Sequence, residues 1–291
     1  MNDPLTFDVP FLLGMMRLHN AFELSTPTAL ADWLEARLDE GLGWFDHADI
    51  YGSRESETRF GEALRARPAL ASRVRVVSKA DIVLPGLDES GHAVKHYDTT
   101  PEYLTAAIDA SLSRLGVERL DHFLLHRPDP LMEPAETAEA LDTAIDAGKI
   151  GAAGVSNFMP EQWRRLQRAM RHDLHVHQLE LSLAHAEPLF DGLFDAVLND
   201  GHQPLASSPL GGGSVFEDVL GSSLSSLAEE LGVSRAGLAL AWLRRIPGSP
   251  VPVIGTLKAA RIQALLADSQ LEIDRATWFM LLEESRGHRV A

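Results

Sequence analysis

Short β-rich runs alternate with longer stretches of helical period along almost the whole chain, and nothing else in the sequence limits the fold as much. That alternation is the pattern of repeated βα units feeding a parallel sheet. About eight strands are expected, at Phe11–Gly14, Trp44–Asp46, Val74–Ser78, Asp121–Leu125, Ile150–Val155, His175–Leu179, Pro204–Ser207 and Val251–Ile254. Eight is the usual count for a closed parallel barrel, so the expected fold is an α/β, (β/α)8 barrel of the TIM type. The chain has 291 residues, within the range of such barrels, and no linker rich in Pro, Gly or Ser divides it. The expectation is therefore one domain over residues 1–291.

Helix boundaries are legible from their caps. Thr26 precedes Pro27 and the apolar-periodic Leu30, Trp33 and Leu34, and Thr100-Pro101-Glu102 repeats the signal before Leu104, Ile108, Leu112 and Leu115. Ser234 opens an apolar helix running through Trp242 and Leu243. Further helices are expected at Glu57–Leu64, Ala135–Ala147, Pro160–Met170 and Pro188–Asn199, with Gly41, Gly116 and Gly148 ending helices. Two long connections, Ala80–Thr99 and Leu210–Gly221, follow the third and seventh strands, where barrel loops commonly shape a substrate mouth.

Composition removes several classes of function. A formal net charge of −16 opposes a nucleic acid or an anionic membrane surface as main partner. No apolar stretch reaches the roughly 18 residues needed to cross a bilayer, and the N-terminus lacks a basic segment followed by an apolar one, so a cytoplasmic location is the default. Without cysteine, the chain has neither disulfides nor thiolate chemistry.

Asp46, Tyr51, Lys79 and His126 lie at or just beyond the C-terminal ends of the apolar runs Leu42–Phe45, Val74–Val77 and Phe123–Leu125. A carboxylate, a phenol, an ammonium and an imidazole from separate strand ends suit proton delivery to a carbonyl oxygen. A free phenol has a pKa of about 10, too high for efficient acid catalysis near neutrality. Lys79 lowers it electrostatically, and Asp46 holds that lysine charged and oriented. His126 donates a hydrogen bond to the same oxygen. Each residue alone is more often structural. A lysine ending a largely apolar run, however, is costly to bury unless paired.

The strings Phe45-Asp-His-Ala-Asp-Ile-Tyr-Gly52, Val77-Ser-Lys79, Leu125-His-Arg-Pro-Asp129 and Gly154-Val-Ser-Asn-Phe158 resemble, in order and spacing, those of the aldo-keto reductase superfamily, and more narrowly its bacterial oxidoreductases with the Asp-His-Ala-Asp-Ile-Tyr-Gly motif. The match runs from about Leu12 to the last helix. It implies a (β/α)8 barrel that binds NADPH without a Rossmann fold and reduces a small aldehyde or ketone by hydride transfer. Carried over, Tyr51 is the proton donor, Lys79 and Asp46 tune it, and His126 orients the carbonyl. Ser156, Asn157 and Gln178 are similar to residues that hold the nicotinamide carboxamide, and Ser208 and Leu210 fall at further cofactor-contacting positions. Thr256, Lys258 and Arg261 resemble the clamp on the adenosine 2′-phosphate, entering a helix N-terminus that favours a dianion.

The chain departs from the family pattern at three places. Ser207 stands where many relatives place an aromatic ring that stacks on the nicotinamide, which predicts looser cofactor binding. Leu181 also replaces an aromatic, and Met15 and Met16 offer a soft pocket wall or simple core filler. Two rival functions remain at the level of sequence. One is a barrel that keeps a bound nicotinamide nucleotide as a redox sensor or auxiliary subunit, disfavoured because all four catalytic residues are present. The other is a metal-dependent hydrolase. Its one His-x-His, His175-Val-His177, sits at the start of a strand rather than the C-terminal end that barrel metal sites occupy; His47 and Asp49 beside Asp46 are the nearest approach at a proper strand end, and no metal is expected.

Overall fold

The computed structural model describes residues 5–86 and 93–290. Eight strands form a closed barrel: β1 (Leu12–Gly14), β2 (Trp44–Asp46), β3 (Arg75–Ala80), β6 (Leu120–Leu125), β7 (Ile150–Ser156), β8 (Leu174–Glu180), β9 (Gln203–Ser207) and β10 (Val251–Ile254). Their order around the barrel is β1-β10-β9-β8-β7-β6-β3-β2, which is chain order. A separate antiparallel hairpin, β4 (Ile82–Val83) with β5 (His96–Tyr97), lies inside the first long connection. Part of that connection, residues 87–92, falls outside the described residues. All eight expected strands are present, several longer by one or two residues. The fold is the expected (β/α)8 TIM barrel. Among the described residues, no helix is long and apolar enough to cross a membrane.

The chain's contacts cluster into two compact units, Met1–His177 and Gln178–Ala291. In the first, β1, β2, β3, β6 and β7 run parallel, with Leu13 opposite Phe45, Asp46 opposite Val77, Lys79 opposite Leu124 and Leu125 opposite Val155. This register brings the ends of β3 and β6 level, Ala80 opposite Leu125, while β2 ends at Asp46 opposite Val77. Every residue of β6 is buried, as expected of a parallel strand covered on both faces.

Helices α1 (Pro27–Asp39), α2 (Glu55–Ala66), α3 (Pro101–Leu115), α4 (Pro134–Asp146) and α5 (Pro160–Gln167) belong to this unit. The Thr26 and Thr100 side chains accept hydrogen bonds from the peptide N–H of Ala29 and Tyr103, so both expected N-caps form. Gly116 ends α3 at φ 68°, a left-handed conformation that costs a residue with Cβ. Helix α2 is tied down by an acid that the periodicity conceals. Glu57, fully buried, accepts from Ser78 Oγ at 2.7 Å, from Ser111 Oγ at 3.2 Å and from Arg114 Nε at 2.7 Å, joining α2 to β3 and α3. One turn on, Gly61 lies so close to the backbone of Arg114 and Leu115 that a Cβ would overlap it.

The second unit contains α6 (Leu193–Asn199), α7 (Asp218–Leu231), α8 (Arg235–Arg244), α9 (Ala259–Ala267) and α10 (Arg275–Arg286). The single helix expected at Pro188–Asn199 is broken: a 3-10 turn at Glu187–Leu189 is followed by α6, and Gly192 between them sits at φ 88°. A residue in the left-handed region cannot continue a right-handed helix. The Leu210–Gly221 connection is also more ordered than expected, with a 3-10 segment at Gly211–Phe216 leading into α7. Trp242 and Trp278 bind α8 to α10. Their rings stack at 4.8 Å, and each indole N–H donates to the other's carbonyl, at 3.1 and 3.0 Å.

Candidate active site

The sheet register explains how four residues distant in sequence meet. Asp46 ends β2 and Lys79 lies one residue before the end of β3, so their side chains emerge side by side at the C-terminal end of the strands. Lys79 Nζ donates to both carboxylate oxygens of Asp46, at 2.8 and 2.9 Å, and to the His47 carbonyl at 2.6 Å. The three N–H donors of the ammonium thus face only polar partners, these acceptors and the Tyr51 hydroxyl, which permits it to be completely buried. Burial acts to lower the Lys79 pKa, but Asp46 and Tyr51 outweigh it and hold the ammonium above its ordinary value.

Tyr51 follows β2 after the turn Ala48–Ile50 and is half-buried. Its ring centroid is 5.5 Å from Lys79 Nζ, and its hydroxyl shares a hydrogen bond with that group. Lys79 pulls the phenol down, as expected from the sequence. Burial pushes it up more strongly, with Asp46 adding to the rise, so the net direction is upward. The expectation that Lys79 leaves Tyr51 with a lowered pKa is corrected on this point: desolvation exceeds the ammonium's pull. The hydroxyl therefore keeps its proton at neutral pH.

His126 follows β6, and its peptide N–H donates to the Ala80 carbonyl at 3.0 Å. The imidazole lies edge-on to Tyr51, with centroids 6.1 Å apart at 81°. Burial, then Lys79, Arg127 and Lys95, hold its pKa well below the usual value, so it is neutral. Its neighbour in the motif, His47, has a different part. It is buried against Phe60 at 4.7 Å, is lowered to about 3 by burial and by Lys79, and contributes its carbonyl rather than its ring.

Further acids lie buried beside this cluster. Asp49 is buried on the β2–α2 turn, with its peptide N–H on the Lys79 carbonyl at 2.9 Å and Tyr103 Oη 3.4 Å from its carboxylate. Burial, and then Glu57, raise its pKa to about 7. Asp81, just after β3, is buried at φ 115°, and both its oxygens accept from the Arg127 peptide N–H, at 3.2 and 3.1 Å. Burial pushes its pKa well up. Asp81 was not legible in the sequence, whereas Asp49 stood beside Asp46 at a strand end and Glu57 shares the helix face of Phe60 and Leu64.

Of the expected cofactor residues, Ser156 and Asn157 belong to the same unit as Asp46, Tyr51, Lys79 and His126. Ser156 is buried at the end of β7, and its Oγ accepts from Asn157 Nδ2 at 3.0 Å. Asn157 adopts φ 56°, where asparagine is among the better tolerated residues. The others lie in the second unit. Gln178 is buried in β8, Ser208 is exposed at φ 48° just after β9, and Leu210 is half-buried. Lys258 is the N-cap residue of α9 and its peptide N–H donates to Thr256 Oγ1 at 3.4 Å. Arg261 is in the first turn, and both cations are exposed and have no ion-pair partner among the described residues. Of the two methionines near β1, Met15 is fully buried core filler, whereas Met16 is about half exposed. His175 and His177 occupy the beginning and middle of β8, and His177 packs edge-on against Trp163 at 4.7 Å. Among the described residues, no group of three His, Cys, Asp or Glu is placed to hold a metal ion.

Known proteins match this chain over nearly its full length. It is 38% identical to 6-dehydroglucose reductase of Agrobacterium fabrum over 96% of this chain and 94% of that protein. It is 36% identical to Oxidoreductase YdhF of Escherichia coli, again over 96% and 94%. Its fold resembles a crystal structure of an aldo/keto reductase from Klebsiella pneumoniae in complex with NADP and acetate, with a TM-score of 0.73, 25% identity and coverage of 93% of this chain and 89% of that one. Residues 10–281 match the model of the aldo/keto reductase family, and the chain is a member of that family.

Proposed function

We propose that the protein is a single-domain NADPH-dependent reductase of aldehydes or ketones, from the bacterial branch that carries the Asp-His-Ala-Asp-Ile-Tyr-Gly motif, acting in the cytoplasm where reduced nicotinamide nucleotide is available. The observation that carries this reading is the completely buried Lys79, held by both oxygens of Asp46 and facing the Tyr51 phenol. Such an ion pair is costly to build, and its natural use here is proton transfer at Tyr51.

The residues present fit the cofactor. In the first unit the buried Ser156 hydroxyl suits a carboxamide; in the second, the exposed Lys258 and Arg261 at the start of α9, without an ion-pair partner among the described residues, suit a phosphate dianion. Bound NADPH would supply the hydride. Tyr51, protonated at neutral pH, gives its proton to the carbonyl oxygen as negative charge develops there. Lys79 stabilises the phenolate left behind, and Asp46 keeps the ammonium oriented through the exchange. Neutral His126 donates one N–H to the same oxygen and fixes its approach, which requires the tautomer that carries the proton on the nitrogen facing the pocket.

The reading is tested by following NADPH absorbance against a panel of carbonyl compounds that includes 6-dehydroglucose, in view of the 38% identical relative. Wild-type turnover is expected on at least one member, and Tyr51→Phe should lose about 10²–10⁴-fold in kcat while still binding NADPH. Unchanged turnover in Tyr51→Phe overturns the assignment of the proton donor.

A further inference from the structure

Arg127, immediately after His126, has a cationic side chain that nothing in the proposed chemistry uses. It is half-buried, and its Nη1 donates to the His126 carbonyl at 2.8 Å and to Ser156 Oγ at 3.5 Å. The nearby acid, Asp81, spends both oxygens on the Arg127 peptide N–H and so anchors the backbone without neutralising the guanidinium. Among the described residues, no carboxylate forms an ion pair with that side chain, and its hydrogen bonds are both made by Nη1. One edge of the fork is thus fixed to the site while the other stays open.

The surrounding charge sharpens the point. The chain carries a net −16, yet three cations, Lys79, Arg127 and Lys95, act on the His126 imidazole. Lys79 is neutralised by Asp46, and the exposed Lys95 lies over the Tyr97 ring at 6.0 Å. Arg127 also acts on the Tyr51 phenol. A guanidinium with no ion-pair partner among the described residues, beside the groups that grip the carbonyl oxygen, offers an anion a local attraction against the negative global field. A planar fork with a free edge matches a carboxylate better than any neutral group.

We propose that Arg127 is a specificity-determining residue that binds an anionic group of the substrate, so that the preferred substrates are aldehydes or ketones carrying a carboxylate. This rests on the reductase reading above and names its substrate class. The residue's other contacts, to His126 and Ser156, would be those of a purely positional arginine, and the test must separate the two roles.

Two matched aldehydes, para-formylbenzoate and para-formylbenzamide, differ in charge but little in shape. Wild type is expected to favour the benzoate by about tenfold in kcat/KM, the size of one charge-assisted hydrogen bond. Arg127→Gln should remove most of that ratio through KM, and Arg127→Lys should restore part of it. A ratio near one in wild type, or an equal loss on both aldehydes in Arg127→Gln, overturns the proposal, because a positional arginine affects charged and neutral substrates alike. Calorimetric binding of benzoate and benzamide to the NADP+-saturated protein reads the same ratio without turnover. If neither aldehyde is reduced but benzoate still binds about tenfold tighter in wild type than in Arg127→Gln, the reductase reading fails and the anion subsite stands. Equal binding of benzoate by both proteins overturns the subsite whatever the turnover.

Discussion

Asp46→Asn is the most informative perturbation of this protein because it separates the stability of the Asp46–Lys79 pair from its chemistry. Lys79 is completely buried, and both carboxylate oxygens of Asp46 accept from it. Asparagine retains one carbonyl acceptor but removes the charge, and stranding one partner of a buried ion pair typically costs about 3–5 kcal/mol. For a chain of this length that corresponds to a fall in Tm of roughly 6–10 °C. The pH dependence carries the sharper signature. In the wild type, Asp46 overcomes the effect of burial and holds the Lys79 pKa above its ordinary value, so the pair's stabilisation is fully present below the unfolded lysine pKa and is lost only as pH rises through the folded one.

Without Asp46, burial dominates and the folded pKa drops below the unfolded value of about 10.4. Between those two values the unfolded chain binds the extra proton, so the variant should gain stability as pH rises through the alkaline range, where the wild type gains none. Urea denaturation at a series of pH values from neutral to alkaline measures both effects. The double variant Asp46→Leu, Lys79→Met should recover most of the lost stability while remaining inactive, since removing both charges leaves neither unpaired. A loss in Asp46→Asn below about 1 kcal/mol with no change in pH slope would refute the reasoning, since it would mean that water or another group compensates the ammonium.

Other consequences can be measured independently. Replacing both Lys258 and Arg261 by Ala should raise the KM for NADPH by about 10–100-fold per lost charge-assisted contact and leave the KM for NADH nearly unchanged; equal effects on both cofactors would remove the phosphate clamp. Ser207→Trp should tighten NADPH binding at least twofold, read by fluorescence titration, if the missing ring is what loosens the cofactor. Asp49, raised from 3.8 to about 7 by burial and by Glu57, destabilises the fold increasingly as pH rises between those values. Asp49→Asn should accordingly flatten the stability profile across that window and leave the protein more stable than wild type at pH 8, as followed by thermal melts.

The strands were legible because each is a short run of buried apolar residues bounded by polar turns, and a parallel barrel buries such runs on both faces. Thr26, Thr100 and Ser234 announced their helices, since capping is a local interaction within three residues. The helix break at Gly192 was hidden, because an isolated glycine is tolerated within helices as often as it ends them.

At the site, the sequence alone identified which polar residues stand at strand ends and hence which four groups could meet. Their pairing also followed from residue type, because a lysine ending an apolar strand needs a carboxylate. Only the tertiary structure decided the direction in which Tyr51 shifts, since Lys79 and desolvation act oppositely and their balance depends on how completely neighbouring elements exclude water. It likewise decided that Asp81 would satisfy Arg127's peptide N–H and leave its guanidinium open. Sequence specifies which groups exist and on which face they emerge. Burial and partner choice are properties of the packed chain, set by residues distant in sequence that the barrel brings into contact.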